Sequence, residues 1–404
     1  MKKGLFIEVT LVRILVVLIQ LVFLKIYTKY VSVYEIGIFL FLQTISYSLN
    51  AFLFVPLDFF QQSQLYKLKD EGFSFKSYYA INKWVLGITG VILILSVLIC
   101  YLINPSYCFL VPMVVLLAVS LYFVTFIRGI INNLERRRTA IYSVLAEYSI
   151  KVLIFLAIIK FTKPSAVSIL SSTVAASLSI LVFLYFVFLK LPENKSSKIF
   201  DFKIKDVLKF AYPLTIGSVV NWIQIQGYRM ILVPLGLVEV VGVYGTVSGV
   251  GANATLSFST IYQQMFVPNL YKTNGLYIKQ YIRNALFCIL AILIGGYFFS
   301  GLLVGLMTKQ SFAAYSSLIL YGILSEGGSL LIGALLIFLS IYNKTKISIQ
   351  TYIVGLIAFL VSFYAFYFFK IINVYTIGFP IVFTQVVIFV YLYIIVQNII
   401  RKSE

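Results

Sequence analysis

The chain contains no histidine, only three cysteines and few charged residues. Charged side chains make up 11% of its 404 residues. Without histidine, and with Cys100, Cys108 and Cys288 in no CxxC pair, the sequence has no donor set suited to zinc or haem, so we expect no metal or cofactor. Cys100 and Cys108 flank one short loop, where they either form a disulfide or pack as free thiols.

Apolar residues are what the chain has in excess. They make up 61% of the sequence, and the mean hydropathy is +1.01. Inside a bilayer each backbone polar group must be satisfied within its own segment, so long apolar runs must be helices of roughly 20 residues. The runs of that kind are 5–25, 36–60, 84–103, 108–131, 141–161, 166–189, 211–234, 241–266, 283–306, 313–342, 347–369 and 374–400. The sequence therefore predicts an all-α integral membrane protein with about twelve transmembrane helices.

The net charge of +19 is explained by the positions of the lysine and arginine residues, most of which lie in loops between the predicted spans. Of the 32 basic residues, 22 fall in loops on one side of the predicted membrane and six on the other. The positive-inside rule places the richer side, with both termini, in the cytoplasm. The charge thus indicates topology, and we expect membrane lipids and no nucleic acid as partners.

A polar, lysine-rich stretch at 191–209 divides the chain into two parts with six predicted spans each. We expect six-helix bundles at 1–190 and 210–404, joined by a basic cytoplasmic linker. Because the number of spans per half is even, the halves should be related by a parallel pseudo-two-fold axis. A faint repeat agrees: Leu65-Tyr66-Lys67 recurs as Leu270-Tyr271-Lys272, and Gly37 matches Gly242 at the same offset.

Polar residues within the spans are candidates for binding a cargo. Span two carries Gln43, Ser46, Tyr47, Asn50, Asp58 and Gln61 at spacings that place them on one helical stripe. Span seven carries Asn221, Gln224 and Tyr228 on one face. These stripes either line a wet cavity or join helices by hydrogen bonds.

Charged residues within spans are costly and are therefore candidate functional groups. Arg13 lies eight residues into span one, ~12 Å deep at 1.5 Å per residue, and is the first candidate for an anion ligand. Arg229 is the second candidate. Lys151 either binds substrate or pairs with Glu147, four residues earlier.

Among the other charged residues in the predicted spans, three are further candidates for a role. Arg128, near a helix end, is expected to extend its charge toward water. Glu326 either pairs with a buried cation or takes up a proton. Asp58 and Glu326 are the candidates for ion coupling.

Three short motifs, together with the two halves, carry a resemblance. They are Phe210-Ala211-Tyr212-Pro213-Leu214, Tyr228-Arg229 and Val241-Gly242-Val243-Tyr244. With them the chain resembles the polysaccharide and O-antigen flippases of the multidrug/oligosaccharidyl-lipid/polysaccharide (MOP) exporter superfamily. The family often has an acid where Tyr228 stands, so a carboxylate–arginine pair is not expected here.

The resemblance implies a transporter and not an enzyme. Its cargo would be an undecaprenyl-diphosphate-linked oligosaccharide of O-antigen or capsule, moved across a bacterial inner membrane by alternating access. Arginines would bind the diphosphate, and amide and hydroxyl groups the sugar. Polysaccharide polymerase machinery is a further candidate partner. The alternatives are an ion-coupled multidrug exporter of the same superfamily and a membrane-embedded glycan polymerase or ligase, although the short outer loops argue against the latter.

Overall fold

A computed structural model describes residues 3–103, 105, 108–342, 344 and 346–403. That part of the chain is helical and contains no β-strand, which confirms the predicted all-α class. Its helices are α1 (Lys3–Tyr30), α2 (Val33–Leu49), α3 (Val55–Asp70), α4 (Tyr79–Ile103), α5 (Leu110–Asn133), α6 (Arg137–Phe161), α7 (Ala166–Leu189), α8 (Ile204–Leu232), α9 (Val238–Lys272), α10 (Ile278–Met307), α11 (Ile319–Ile341), α12 (Lys346–Phe368) and α13 (Gly378–Ser403).

Each of the twelve predicted spans falls on one of these helices or on a pair of them. Within the described residues, nine helical stretches are long and apolar enough to cross a membrane. The three that fall short are α6, α8 and α9, which carry more polar and charged side chains. Their membrane crossing remains a prediction. The chain is thus a multi-pass membrane protein.

Span two is interrupted, which is why thirteen α-helices cover twelve predicted spans. A π-helical turn at Asn50–Phe54 separates α2 from α3, and Pro56 lies at the start of α3. Proline has no backbone N–H and its ring collides with the preceding turn, so the wider turn accommodates it. The interruption shifts the register of the residues that follow it.

The polar residues that the sequence placed on one stripe differ in burial. Tyr47 is 43% exposed, whereas Ser46, Asp58 and Gln61 are buried. Ser46 and Tyr47 both precede the π-helical turn, so the turn changes only the register of Asp58 and Gln61 relative to them. That these residues line a wet cavity stays a prediction. Regular 3.6-residue periodicity does not hold across a π-helical turn.

The helices group into two compact units. Unit 1 comprises the residues up to Phe23 together with Phe41–Val219, and unit 2 comprises Leu24–Leu40 together with the residues from Val220 onward. The end of α1 and the start of α2 thus group with the C-terminal helices. A stretch from early in the sequence completes the later unit.

The lysine-rich linker is part of unit 1. Its backbone bonds to the turn before α4, with Ser74 N donating to Lys198 O (2.8 Å) and Phe200 N donating to Ser77 Oγ (2.8 Å). The ring of Phe202 stacks on Tyr78 at 5.7 Å between centroids. The last six residues predicted as linker, 204–209, already belong to α8. The basic linker is therefore held against unit 1 by these hydrogen bonds and by aromatic packing.

Within unit 2, α2 and α9 cross at two glycines. A Cβ on Gly37 would lie 2.2 Å from the carbonyl oxygen of Val238, and a Cβ on Gly242 would lie 2.3 Å from that of Val33. The contact is reciprocal, because both residue pairs are related by the repeat offset of 205 positions. This crossing is consistent with the predicted parallel repeat, and only glycine permits so close an approach.

The side chain of Lys25 caps the C-terminal end of α10 in unit 2. Its ammonium group donates to the carbonyl oxygens of Gly305 (2.6 Å) and Thr308. Beside it, the backbone N–H of Lys309 donates to Thr28 Oγ1 at 3.2 Å. These contacts satisfy carbonyls that a helix leaves unpaired at its C-terminus and place a positive charge at the negative end of the helix dipole.

We expect Lys25→Met to destabilise the protein by about 1.5–3 kcal/mol, the range for hydrogen bonds to charged groups. Thermal unfolding in detergent checks the change. Lys29→Met is the matched control, because Lys29 is exposed and only approaches the ring of Tyr30 at 5.5 Å. Equal melting temperatures for the two variants would contradict the assignment.

Candidate functional site

Arg13 lies on α1 in unit 1, among residues that alternate between buried and exposed. Val12 and Val16 are buried, whereas Leu11 is 61% exposed. The guanidinium is partly buried, and its Nη1 atom is buried with no hydrogen-bond partner among the described residues. A buried donor without an acceptor costs about 1–3 kcal/mol, so this arginine is suited to an acceptor that a cargo would bring.

The face of α1 that carries Arg13 continues into contacts with α6. Gln20, seven residues after Arg13, hydrogen bonds through its side chain to Tyr148. Tyr47 of α2 interacts electrostatically with Tyr148 and accepts a hydrogen bond from Gln43 Nε2 at 3.1 Å. Gln43 is thus placed with two tyrosines. Gln20 and Tyr148 were not predicted from the sequence; the seven-residue spacing from Arg13 was the available signal for Gln20.

Lys151 does not have the ion pair offered as its alternative explanation. The carboxylate of Glu147 accepts from Arg128 Nη2 at 2.8 Å, and Arg128 Nε also donates to Ser143 Oγ (3.0 Å). Arg128 thus pairs with a carboxylate on the next helix, a partner that the sequence did not predict for it. Lys151 instead places its ammonium 4.5 Å from the ring centre of Phe23, a cation–π contact.

Asn50 is the first residue of the π-helical turn in span two, Asp58 follows the turn in α3, and both are engaged within unit 1. Asn50 Nδ2 donates to the carbonyl of Ala118 at 3.3 Å, so it joins helices. Asp58 Oδ2 accepts from Gln62 Nε2 at 2.8 Å, while Oδ1 is buried without a hydrogen-bond partner in the described structure. No cation pairs with this carboxylate among those residues, so Asp58 remains a candidate to take up a proton or cation.

A buried polar network beside Asp58 was missed from the sequence. Gln61 Nε2 donates to Asn82 Oδ1 at 3.1 Å, and the Tyr122 hydroxyl donates to the same oxygen at 2.8 Å. The Tyr78 hydroxyl donates to the Gln61 carbonyl at 2.7 Å. Asn82 just before one apolar run and Tyr122 within the next were the available signals. Each of these atoms has a protein partner, so the network stabilises unit 1.

Arg229 lies in a cluster of tyrosines in unit 2. Its Nε donates to the Tyr228 hydroxyl at 2.8 Å, so a phenol takes the place where a carboxylate would stand. The Tyr228 ring lies 5.3 Å from that of Tyr244, edge to face, and the guanidinium interacts electrostatically with Tyr27. The Tyr228 hydroxyl thus orients the guanidinium, and a neutral phenol adds no negative charge beside it.

Asn221 and Gln224, the other candidates on α8, differ in their surroundings. Asn221 is exposed. Gln224 is 1% exposed, its Nε2 donates to the Tyr352 carbonyl at 2.8 Å, and its Oε1 has no partner among the described residues. The nearby Gln226 Oε1 is likewise buried and unpartnered there. These amide oxygens can accept hydrogen bonds from hydroxyl groups.

Glu326 is half-buried on α11 and forms no ion pair within the part of the chain that the structure describes. Its neighbours Ser325 and Ser329 bond to each other along the helix, with the Ser329 hydroxyl donating to the Ser325 carbonyl. Gln385 of α13 packs against Gly328, and its Oε1 lacks a partner among the described residues. Glu326 is therefore a second uncompensated carboxyl group.

No metal centre emerges from these groups. The ranges that the structure describes contain no cluster of three or more histidine, cysteine or acidic residues able to hold an ion. Cys100 and Cys108 are both thiols, so the disulfide left open from the sequence is not formed.

Comparison with known proteins gives matches in structure only. No family model matches the sequence, and no curated protein matches it. Solved structures do: a MATE transporter in the bent conformation has a TM-score of 0.62 at 14% identity, covering 98% of this chain and 96% of its own. An inward-facing multidrug resistance MATE family transporter of the MOP superfamily has a TM-score of 0.61 at 12% identity, with the same coverage. The chain has a MATE-like transporter fold.

The match extends across kingdoms at similarly low identity. The MATE transporter VcmN of Vibrio cholerae, solved as a point mutant, has a TM-score of 0.59 at 14% identity, and the eukaryotic MATE transporter AtDTX14 has one of 0.52 at 14%. Each match covers 98% of this chain and at least 93% of the solved one. The MATE-like fold therefore accounts for the whole described chain, and at this identity it does not specify a cargo.

Proposed function

We propose that this MATE-like protein is a flippase for a lipid-linked oligosaccharide whose lipid carries a diphosphate. The observation that carries the proposal is the buried, unpartnered Nη1 of Arg13 in α1. A guanidinium forms strong, directional hydrogen bonds with phosphate oxygens. A diphosphate would satisfy this donor and offset the cost of keeping an arginine within an apolar helix.

The polar groups of each unit support a sugar cargo. In unit 2 the unpartnered amide oxygens of Gln224 and Gln226 accept from hydroxyl groups, and Asn221 is exposed. In unit 1, Gln43 offers a partly exposed amide. Sugars present many hydroxyl donors, so the match is one of hydrogen-bonding chemistry. Arg229 and Lys151 supply the further positive charges that we assign to the anionic part of the cargo.

Alternating access is the transport mode that a MATE-like MOP fold suggests. We propose that Asp58 or Glu326 couples transport to an ion, because each carboxyl group lacks a cationic partner among the described residues. The proposed setting is a bacterial inner membrane with both termini in the cytoplasm, as the lysine and arginine distribution indicates. Polysaccharide polymerase machinery is the proposed partner.

An ion-coupled multidrug exporter is the second candidate, and the structural comparisons favour it. The similar solved structures include two described as multidrug resistance transporters, one inward-facing and one outward-facing. Asp58 and Glu326 would then attract a cationic drug. The unpartnered arginine donor favours an anionic cargo instead, because an organic cation would be repelled by Arg13.

Transport in proteoliposomes separates the two functions. The probes are a fluorescent undecaprenyl-diphosphate oligosaccharide and a fluorescent cationic drug, each with and without an imposed proton or sodium gradient. We expect the lipid-linked sugar to cross and the drug neither to cross nor to compete. Movement of the drug alone would establish the exporter and refute the flippase.

A further inference from the structure

Cys100 and Cys108 bring their thiols together at one end of α4. Cys100 lies in the last turn of α4, and Cys108 lies two residues before α5 begins. The backbone N–H of Cys108 donates to the carbonyl oxygen of Pro105 at 3.2 Å, and this turn brings the chain back toward the helix end. A hydrogen bond joins the two cysteine side chains. The thiols are therefore in direct contact, although eight positions separate them in the sequence.

Both thiols are within reach of water. Each of the two cysteines is partly exposed, and the residues beside them are more exposed still, Tyr101 at 63% and Phe109 at 53%. An exposed tyrosine at the end of an apolar helix is typical of the membrane–water interface. The distribution of lysine and arginine predicts that this interface is the outer one, and outside the cytoplasm disulfides form and persist.

The end of α4 beside these thiols is the less supported part of that helix. Ile81, Asn82, Val85 and Thr89 are buried, whereas none of residues 90–103, all of which the structure describes, is buried. A helix end without buried side chains has few packing contacts within the protein, so it opens and moves more readily than a buried one. A covalent link to α5 would supply what packing does not.

We propose that Cys100 and Cys108 close to a disulfide by exchange with an external disulfide, and that the bond ties the end of α4 to the start of α5. One cysteine thiolate attacks a sulfur of the external disulfide, which forms a mixed disulfide and releases one thiol. The other cysteine attacks the mixed disulfide and releases the second thiol. The cysteine pair thus loses two electrons and two protons, and the external disulfide gains both.

Exchange with oxidised glutathione tests the pair in the full-length protein. The protein is purified with a reductant and reconstituted in nanodiscs. Once the reductant is removed, it is incubated with oxidised glutathione, and the remaining thiols are alkylated for peptide mass spectrometry. We expect the Cys100 and Cys108 peptides to be recovered joined to each other. Cys288 should be recovered alkylated, because it lines an apolar groove beside Phe287 that the charged glutathione does not enter.

Single and shifted cysteines are the control variants. In Cys100→Ser and in Cys108→Ser the remaining cysteine has no partner to expel glutathione, so the mixed disulfide should be roughly tenfold or more abundant than in the unaltered protein. The double variant Cys100→Ser/Tyr101→Cys moves the thiol about 100° around α4, since a turn contains 3.6 residues. It should form the bond with Cys108 roughly tenfold or more slowly, because the thiols no longer start in contact.

Hydrogen–deuterium exchange shows whether the bond acts on α4. Oxidation should slow amide exchange in the last turn of the helix several-fold, because the linked end opens less often. The same treatment of Cys108→Ser should leave exchange there unchanged. Bond formation with unchanged amide exchange would refute the role in holding α4.

Three results would overturn the pair itself. They are glutathione adducts that persist without a bond between Cys100 and Cys108, disulfide-linked dimers in place of the bond within one chain, and equal rates for the shifted variant and the unaltered protein. None of these measurements involves transport. The proposal therefore stands or fails independently of which cargo the protein moves.

Discussion

Arg13→Ala is expected to lower transport of the lipid-linked oligosaccharide roughly ten- to a hundredfold, while the protein folds as well as before. The loss corresponds to about 1.5–3 kcal/mol of charge-assisted hydrogen bonding to the diphosphate. The retained stability follows from the structure, because Nη1 has no partner among the described residues that the substitution would remove. Deleting an unsatisfied buried donor even favours folding. Initial rates in proteoliposomes and melting temperatures in detergent are the two readouts.

Arg13→Lys and Arg136→Ala complete this test. Lysine keeps the charge but not the planar fork, so it should retain part of the transport rate. Arg136 is exposed, and its replacement removes the same charge from a position outside the spans. A fall in both stability and transport for Arg13→Ala would mean that the arginine holds the bundle together. Full transport with an unchanged melting temperature would remove it from the cargo site.

Gly242→Ala should strongly destabilise the α2–α9 crossing. The added Cβ would lie 2.3 Å from the carbonyl oxygen of Val33, a backbone atom that can move only if a helix moves. Overpacking of this kind costs about 1–3 kcal/mol. Gly37→Ala should cost a similar amount, because its Cβ meets the Val238 carbonyl at 2.2 Å in the reciprocal contact.

Gly249→Ala on the same helix is the control with the opposite sign. A Cβ there meets nothing within 4 Å, so the substitution should stabilise α9 by up to about 1 kcal/mol through helix propensity. The double variant Gly37→Ala/Gly242→Ala should cost less than the sum of the single variants, since helices already separated by one methyl group accommodate the second. Additive costs, or equal melting temperatures for Gly242→Ala and Gly249→Ala, would contradict the crossing.

The sequence was sufficient to predict the helices because apolar run length and backbone satisfaction leave a bilayer protein few alternatives. It was not sufficient for the geometry of span two. Nothing in the spacing of Gln43 and Asp58 reveals that a π-helical turn intervenes, although Pro56 was a signal. The lysine-rich composition of 191–209 likewise concealed Phe200 and Phe202, whose docking depends on a partner surface elsewhere in the chain.

The candidate site was predictable to a similar extent. Arginine and glutamate within apolar runs are visible in any sequence, and Arg13 and Glu326 lie where those runs place them. The partners of the charged residues were not predictable. Two cations, Arg128 and Lys151, are close enough to pair with Glu147, and the sequence favoured Lys151 because of its four-residue spacing. The nearer cation belongs to α5, and helix neighbours are determined by packing and not by separation along the chain.

The contact between Lys25 and the end of α10 has a consequence for how the protein is made. The lysine and Thr308 are separated by 283 positions, and chains grow at ~5–20 residues per second, so Lys25 waits roughly 15–60 s after its own synthesis for this partner. Leu24–Leu40 is synthesised well before the rest of the unit to which it belongs. During that interval the ammonium group of Lys25 must be kept hydrated or paired with another group.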